Sequence, residues 1–219
     1  MVLKQKVVII GAGGHAKVII DMLRHDPELE IVGCTDYRAR GRVSDVQILG
    51  DDSILAELYL SGIHHAFVAI GDNLLRQQLA KTAAQIGFHF VNAISPLAYV
   101  AESVQLGIGL AVMAGSVIQI DAQIGDHTII NTNASVDHDC KIGSYCHIAP
   151  GSTLSGKVVV GKGAFIGTGT KVIDEIHIGE WSVMGAGAVV IEGIPARCLA
   201  VGVPARVIRN VNISARPSS

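Results

Sequence analysis

The chain has 219 residues and is 49% hydrophobic, enough for one large core or two small ones, which places it among globular proteins. Its 17 basic residues nearly balance its 19 acidic ones, so no field exists to hold nucleic acid or an anionic membrane by charge alone, and neither is expected as a partner. Val7 to Ile10 is far too short to span a bilayer, the glycines behind it do not resemble a signal-peptide cleavage region, and the four cysteines form no C-x-x-C pair; the expectation is a cytoplasmic chain with reduced, buried thiols and no membrane insertion.

Short apolar runs alternate with helix-like stretches from Met1 to about Phe90. Val7-Val8-Ile9-Ile10, closed by Gly11, reads as a buried strand, and Ala16 to Leu23 spaces its apolar residues at helical intervals. Glu30 to Thr35 reads as a second strand, Asp51 and Asp52 as caps of a helix through Leu60, Ala66 to Ile70 as a third strand, and Leu74 to Ile86 as a third helix. This alternation predicts an α/β domain over residues 1–92, a half-Rossmann unit with a parallel sheet and right-handed crossovers.

Gly11-Ala12-Gly13-Gly14-His15-Ala16 lies between the first strand and helix and fits G-x-G-x-x-A. Small residues there let backbone N–H groups and a helix N-terminus approach phosphate oxygens. Asp36 follows twenty residues after Ala16, at the end of the second strand, where an acid usually meets a ribose hydroxyl. Read alone the pattern says NAD; a tight turn that binds nothing is the plainer alternative. Length favours a mononucleotide, because three strand–helix units are one of the two halves a dinucleotide fold needs. A nucleoside diphosphate carrying a sugar fits, with Gly11, Gly13, Gly14, His15 and Asp36 as its candidate binding residues and the sugar projecting toward the second domain.

Beyond residue 93 the pattern changes to a period of six. Every sixth residue from Ile94 through Val100, Leu106 and Val112 to Met184 and Val190 is aliphatic, without insertion, and four positions later stands a small residue such as Ser116, Ala122, Thr128 or Cys140. A period of six fits neither a helix nor a flat strand, but it fits a chain turning a corner every six residues around a narrow core. The prediction for residues 93–219 is a parallel β-helix with three short strands per coil, so that residues eighteen apart stack about 4.8 Å apart.

Within the repeats, Asn131-Thr132-Asn133-Ala134-Ser135-Val136-Asp137-His138-Asp139-Cys140 is unusually polar. An amine attacking a thioester must lose a proton, and a neutral imidazole titrating near pH 7 suits that task, so His138 is the candidate general base. Asp139 or Asp137 would hold its tautomer, depending on where the coil turns. Gly156 is one coil after His138, which brings a backbone N–H to the same face as an oxyanion donor. His147 and Asn131 are further polar candidates for the pantetheine arm.

The segment N-x-x-A-S-V-x-H-D-C-x-I-G, with the glycine loop before it and Val201-Gly202-Val203-Pro204-Ala205-Arg206 after it, resembles the PglD/NeuD-like left-handed β-helix (hexapeptide repeat) sugar acetyltransferases along the whole chain. The resemblance implies the left hand of the helix, His138 as base, Asp139 as its partner, and Asn131, His147, Gly156 and Gly167 near acetyl-CoA. It implies a homotrimer with sites between β-helices, and N-acetylation of a nucleotide-linked amino sugar, a 4-amino-4,6-dideoxy sugar, for bacterial glycan synthesis, with acetyl-CoA as co-substrate and no metal. Several relatives carry Glu where Asp139 stands. Two other readings remain: a sialic acid O-acetyltransferase, and, from another class, a zinc-dependent gamma-type carbonic anhydrase. The spacing of His127, His138 and His147 argues against the second, and a non-catalytic scaffold leaves the His138 cluster unexplained.

Overall fold

The apolar run near the N-terminus becomes the centre of a six-stranded sheet. The structure, a computed structural model, describes residues 4–38 and 40–212, and the chain divides into one unit through Pro96 and a second from Leu97. In the first, β1 (Gln5–Ile10) has Val7, Val8, Ile9 and Ile10 fully buried, the continuous apolar run of a strand covered on both faces. It pairs in parallel with β2 (Leu29–Thr35) on one side and, on the other, with the strand His65–Val68.

One element escaped the sequence pattern and adds an antiparallel edge to the expected parallel sheet. Residues 42–50 form a hairpin of β3 (Arg42–Val43) and β4 (Val46–Gly50), in which β4 is parallel to β2 but β3 is antiparallel at the edge. Its two-residue turn, Ser44-Asp45, has positive φ at both positions (44° and 62°), a job usually given to Asn-Gly, so no turn signal was visible. With β5 (His65–Val68) and β6 (His89–Phe90), the order is β3-β4-β2-β1-β5-β6.

The helices are α1 (Gly14–Leu23), α2 (Leu55–Leu60), entered through a 3₁₀ turn at Asp52–Ile54, and α3 (Asn73–Ile86). Asp51 caps the 3₁₀ turn and Asp72 caps α3, each carboxylate accepting a backbone N–H at 2.9 Å, from Ser53 and Leu75. Among the described residues no helix is long and apolar enough to cross a membrane.

In the second unit the six-residue period is a coil with three sides. Two-residue strands pair in parallel at a register of eighteen: Val117 with Ser135, Ser135 with Thr153, Thr153 with Lys171. Gln123, Lys141, Val159 and His177 form a second ladder; Ala111, Ile129, His147, Phe165 and Val183 form the third. The left-handed β-helix so built has the aliphatic series inside. Val112, Ile118, Ile130, Val136, Ile148 and Ile166 are fully buried, whereas Val100 and Leu106 at the open end are half-buried. The small residues between them are also fully buried, and their hydroxyls are satisfied by corner carbonyls: Ser152 Oγ donates to Gly167 O at 2.8 Å and Ser182 Oγ to Gly179 O at 2.7 Å.

From Gly109 to Gly187 each corner passes through a left-handed residue, and these stack in columns. One column is Asp121, Asp139, Lys157 and Glu175, with φ of 59°, 59°, 60° and 60°. At the far end Cys198–Val201 continues the third ladder in parallel, then Arg206–Asn210 pairs with it antiparallel and stays exposed along its whole length.

Because the interior is one continuous stack, a cavity inside it has no loop to relax into. Ile148→Ala is expected to lower the free energy of unfolding by about 2–5 kcal/mol in chemical denaturation. The exposed Gln123→Ala is expected to stay within about 0.5 kcal/mol.

Candidate active site

His138 stands at a corner between two ladders, and the backbone there explains its partner. The left-handed conformation of Asp139, which Asp tolerates better than most residues, turns its carboxylate back beside the preceding ring. The Nδ1 of His138 donates to Asp139 Oδ2 at 2.8 Å, while Asp137 Oδ1 accepts the backbone N–H of His138 at 2.7 Å. One carboxylate therefore holds the ring and the other the chain. With its proton on Nδ1, the imidazole presents a lone pair at Nε2. The hydrogen bond to Asp139 raises its pKa above the ordinary value, helped by the negative charges of Asp137 and Asp139 and opposed first by desolvation and then, more weakly, by Lys157. The side chain is half exposed, so incoming groups can reach it.

Gly156 lies beneath this ring. A Cβ built there would stand 2.5 Å from His138 Nε2 and 2.6 Å from Cε1, so only glycine allows the ring its position. The Gly156 N–H donates to no group among the described residues. A lone pair and an available N–H thus share one face on neighbouring coils.

Asn131 and His147 form a separate pair around the next corner. Thr132 N–H donates to Asn131 Oδ1 at 2.8 Å, which leaves the Asn131 Nδ2 to donate to His147 Nε2 at 2.9 Å. His147 is consequently neutral with its proton on Nδ1, and its ring meets Phe165 edge-on at 5.1 Å. Gly167 has a packing reason of its own, since a Cβ there would collide with Met184 O. Among the described residues no three His, Cys, Asp or Glu side chains converge where a metal could be held, and His127, His138 and His147 stand on different corners or faces of the coil.

In the first unit the glycines divide into two kinds. Gly11 has φ of +106° and a Cβ on it would stand 2.6 Å from Ile70 Cδ1, so it is required by the turn. Gly13 and Gly14 face open space, with nothing within 4 Å of a built Cβ, and Gly13 starts α1 without a side-chain cap. Those positions leave room for a ligand over the helix N-terminus. Asp36 has a use that spacing did not show: Oδ2 accepts the Ala12 N–H at 2.9 Å and Oδ1 the Arg38 N–H at 2.8 Å, which braces the glycine loop from the second strand. His15 is pushed down to about 4, first by burial and then by the Arg76 charge, so it is a neutral ring in the middle of the pH range.

Arg76 is the residue the sequence did not disclose. It sits on α3, where a charged side chain reads as solvated, yet it is 1% exposed. Its guanidinium donates to Ile70 O at 2.9 Å, Gly71 O at 3.2 Å and Asn73 Oδ1 at 2.8 Å, which fixes the loop after β5 whose Ile70 packs on Gly11.

Comparison with known proteins places both units. Residues 6–83 match the PglD N-terminal domain and residues 121–156 the bacterial transferase hexapeptide (six repeats). The structure is similar to that of a histidine variant of perosamine N-acetyltransferase from Caulobacter crescentus in complex with CoA and GDP-perosamine, with 48% identity, a TM-score of 0.90, and coverage of 94% of this chain and 97% of that one. It is also similar to the acetyltransferase domain of PglB from Neisseria gonorrhoeae in complex with acetyl coenzyme A, with 35% identity, a TM-score of 0.89, and coverage of 94% and 100%. A curated relative, the uncharacterized protein L142 of Acanthamoeba polyphaga mimivirus, is 34% identical over 125 residues, 57% of this chain, and the chain spans only 24% of its length. With a near-complete match at this identity and both units recognised, the chain belongs to the PglD-type family of hexapeptide-repeat, left-handed β-helix acetyltransferases, alongside the perosamine and PglB enzymes.

Proposed function

We propose that the chain transfers the acetyl group of acetyl-CoA to the amino group of a nucleotide-linked amino sugar, GDP-perosamine or a close analogue, with His138 as general base. The observation that carries this reading is the His138 ring, fixed by Asp139 at 2.8 Å and seated against Gly156 by its Nε2 and Cε1. The bound CoA and GDP-perosamine of the Caulobacter enzyme support the choice of substrates. In the first unit Gly13, Gly14, His15 and the start of α1 take the nucleotide sugar. Asn131 and His147 contact acetyl-CoA, and a homotrimer brings the two groups of β-helix residues together at a subunit boundary.

The sugar amine attacks the thioester carbon, and Nε2 of His138 takes the proton lost as the tetrahedral intermediate forms. The Nδ1–H bond to Asp139 keeps the accepting nitrogen unprotonated and stabilises the imidazolium that results. The Gly156 N–H faces the developing oxyanion, an interaction worth on the order of 3 kcal/mol. As the C–S bond breaks, the imidazolium returns its proton to the sulfur and CoA leaves as the thiol.

Thiol release from acetyl-CoA against GDP-, UDP- and dTDP-linked amino sugars and their hydroxyl analogues tests the reading. Turnover is expected with the GDP-linked amine; turnover confined to a hydroxyl acceptor would replace amine transfer by O-acetylation. Gly13→Leu is expected to raise KM for the nucleotide sugar more than for acetyl-CoA. The reverse pattern would reassign the first unit.

The pH profile follows from the raised pKa of His138. Below that value the ring is protonated and cannot accept, so kcat/KM should rise with pH through it and level off above. Asp139→Asn removes the cause of the rise. The acid limb should then move to lower pH while the plateau falls, and an unmoved limb would take Asp139 out of the mechanism.

A further inference from the structure

We propose that Lys157 is a positioning residue that governs how strongly Asp139 holds the His138 ring, and that Glu175 keeps Lys157 away from Asp139. The inference rests on the reading of His138 as base, but its first observable does not. Asp139, Lys157 and Glu175 share the left-handed corner conformation on consecutive coils. Their side chains leave one corner as a column spaced by about 4.8 Å. Backbone bonds fix the stacking, with the Lys157 N–H donating to His138 O at 2.9 Å and the Glu175 N–H to Gly156 O at 3.0 Å.

Asp121 stands one coil before Asp139, and from Asp139 onward the column reads carboxylate, ammonium, carboxylate, so the ammonium has an acceptor one coil away on either side. It takes Glu175, with Nζ to Oε1 at 3.1 Å, while Asp139 Oδ2 takes the imidazole. A carboxylate that also neutralises an ammonium is a weaker partner for an imidazolium. The pairing of Lys157 with Glu175 therefore leaves Asp139 to the ring. The other charged groups acting here are Asp137, which favours the protonated ring, and Asp174, which acts on Lys157. Lys157 and Glu175 side chains are 58% and 67% exposed, so neither supports the core and salt will screen the effect.

The test uses Lys157→Met, Lys157→Arg and Glu175→Gln in the full chain at low ionic strength. The His138 ring is titrated by NMR, and kcat/KM is measured against pH. Lys157→Met should move the ring's titration to higher pH, Lys157→Arg should restore it, and Glu175→Gln should move it lower, because the released ammonium closes on Asp139. At a pH below the midpoint, kcat/KM should fall about two-fold in Lys157→Met and rise about two-fold in Glu175→Gln. Shifts of the same sign in both, or no shift in either, overturn the proposal. A raised KM for acetyl-CoA with an unmoved titration overturns it too, and assigns Lys157 to a phosphate of the cofactor. Titration shifts of opposite sign with an unmoved acid limb uphold the column and instead remove His138 as the base.

Discussion

His138→Ala is expected to lower kcat by about two to four orders of magnitude while leaving thermal stability and acetyl-CoA affinity nearly unchanged. The size of the effect follows from the role proposed for the ring, a proton acceptor held in one tautomer beside the proposed oxyanion donor. The small effect on stability follows from its surroundings, because the side chain is half exposed and its bonds to Asp139 are local to one corner. Stopped-time assays of thiol release, with calorimetric titration of CoA, separate the two quantities. Wild-type turnover in this variant would remove the imidazole from the mechanism, whatever the fate of the rest of the site.

Gly156→Ala should be the second most damaging change, although it adds only one methyl group, at a buried corner under the ring. The new Cβ would stand 2.5 Å from Nε2, so the ring must leave its place, and a displacement near 1 Å is enough to cost about a hundred-fold in rate. The loss should fall on kcat, with both KM values close to wild type. Since the methyl acts through the imidazole, adding Gly156→Ala to His138→Ala should cost little further. Full additivity in the double variant would show that Gly156 acts independently of the ring.

The β-helix was legible because its period depends on one quantity, the alternation of inward aliphatic and small side chains. Ile118, Val136 and Leu154 were stacked by arithmetic alone, and the structure pairs them at that register. The hairpin at residues 42–50 was not legible, since Ser44-Asp45 carries a turn conformation without the residues that announce it. The site shows the same division. His138 was singled out as a candidate by its polar neighbours, but which of Asp137 and Asp139 meets its ring depends on a left-handed φ of 59° at Asp139. Arg76 was hidden for another reason: nothing local distinguishes a helix charge that faces carbonyls of a loop from one that faces water.

The strand Arg206–Asn210 ends one of the three ladders at the far end of the stack by running the other way. Parallel ladders of identical register are open-ended by nature, and an uncovered last rung would accept the first rung of another molecule. An antiparallel strand with a shifted register does not match the parallel first rung of another molecule, and its exposed Arg206 and Arg209 place charge on that edge. On that side, end-to-end stacking of copies in register is disfavoured by five residues.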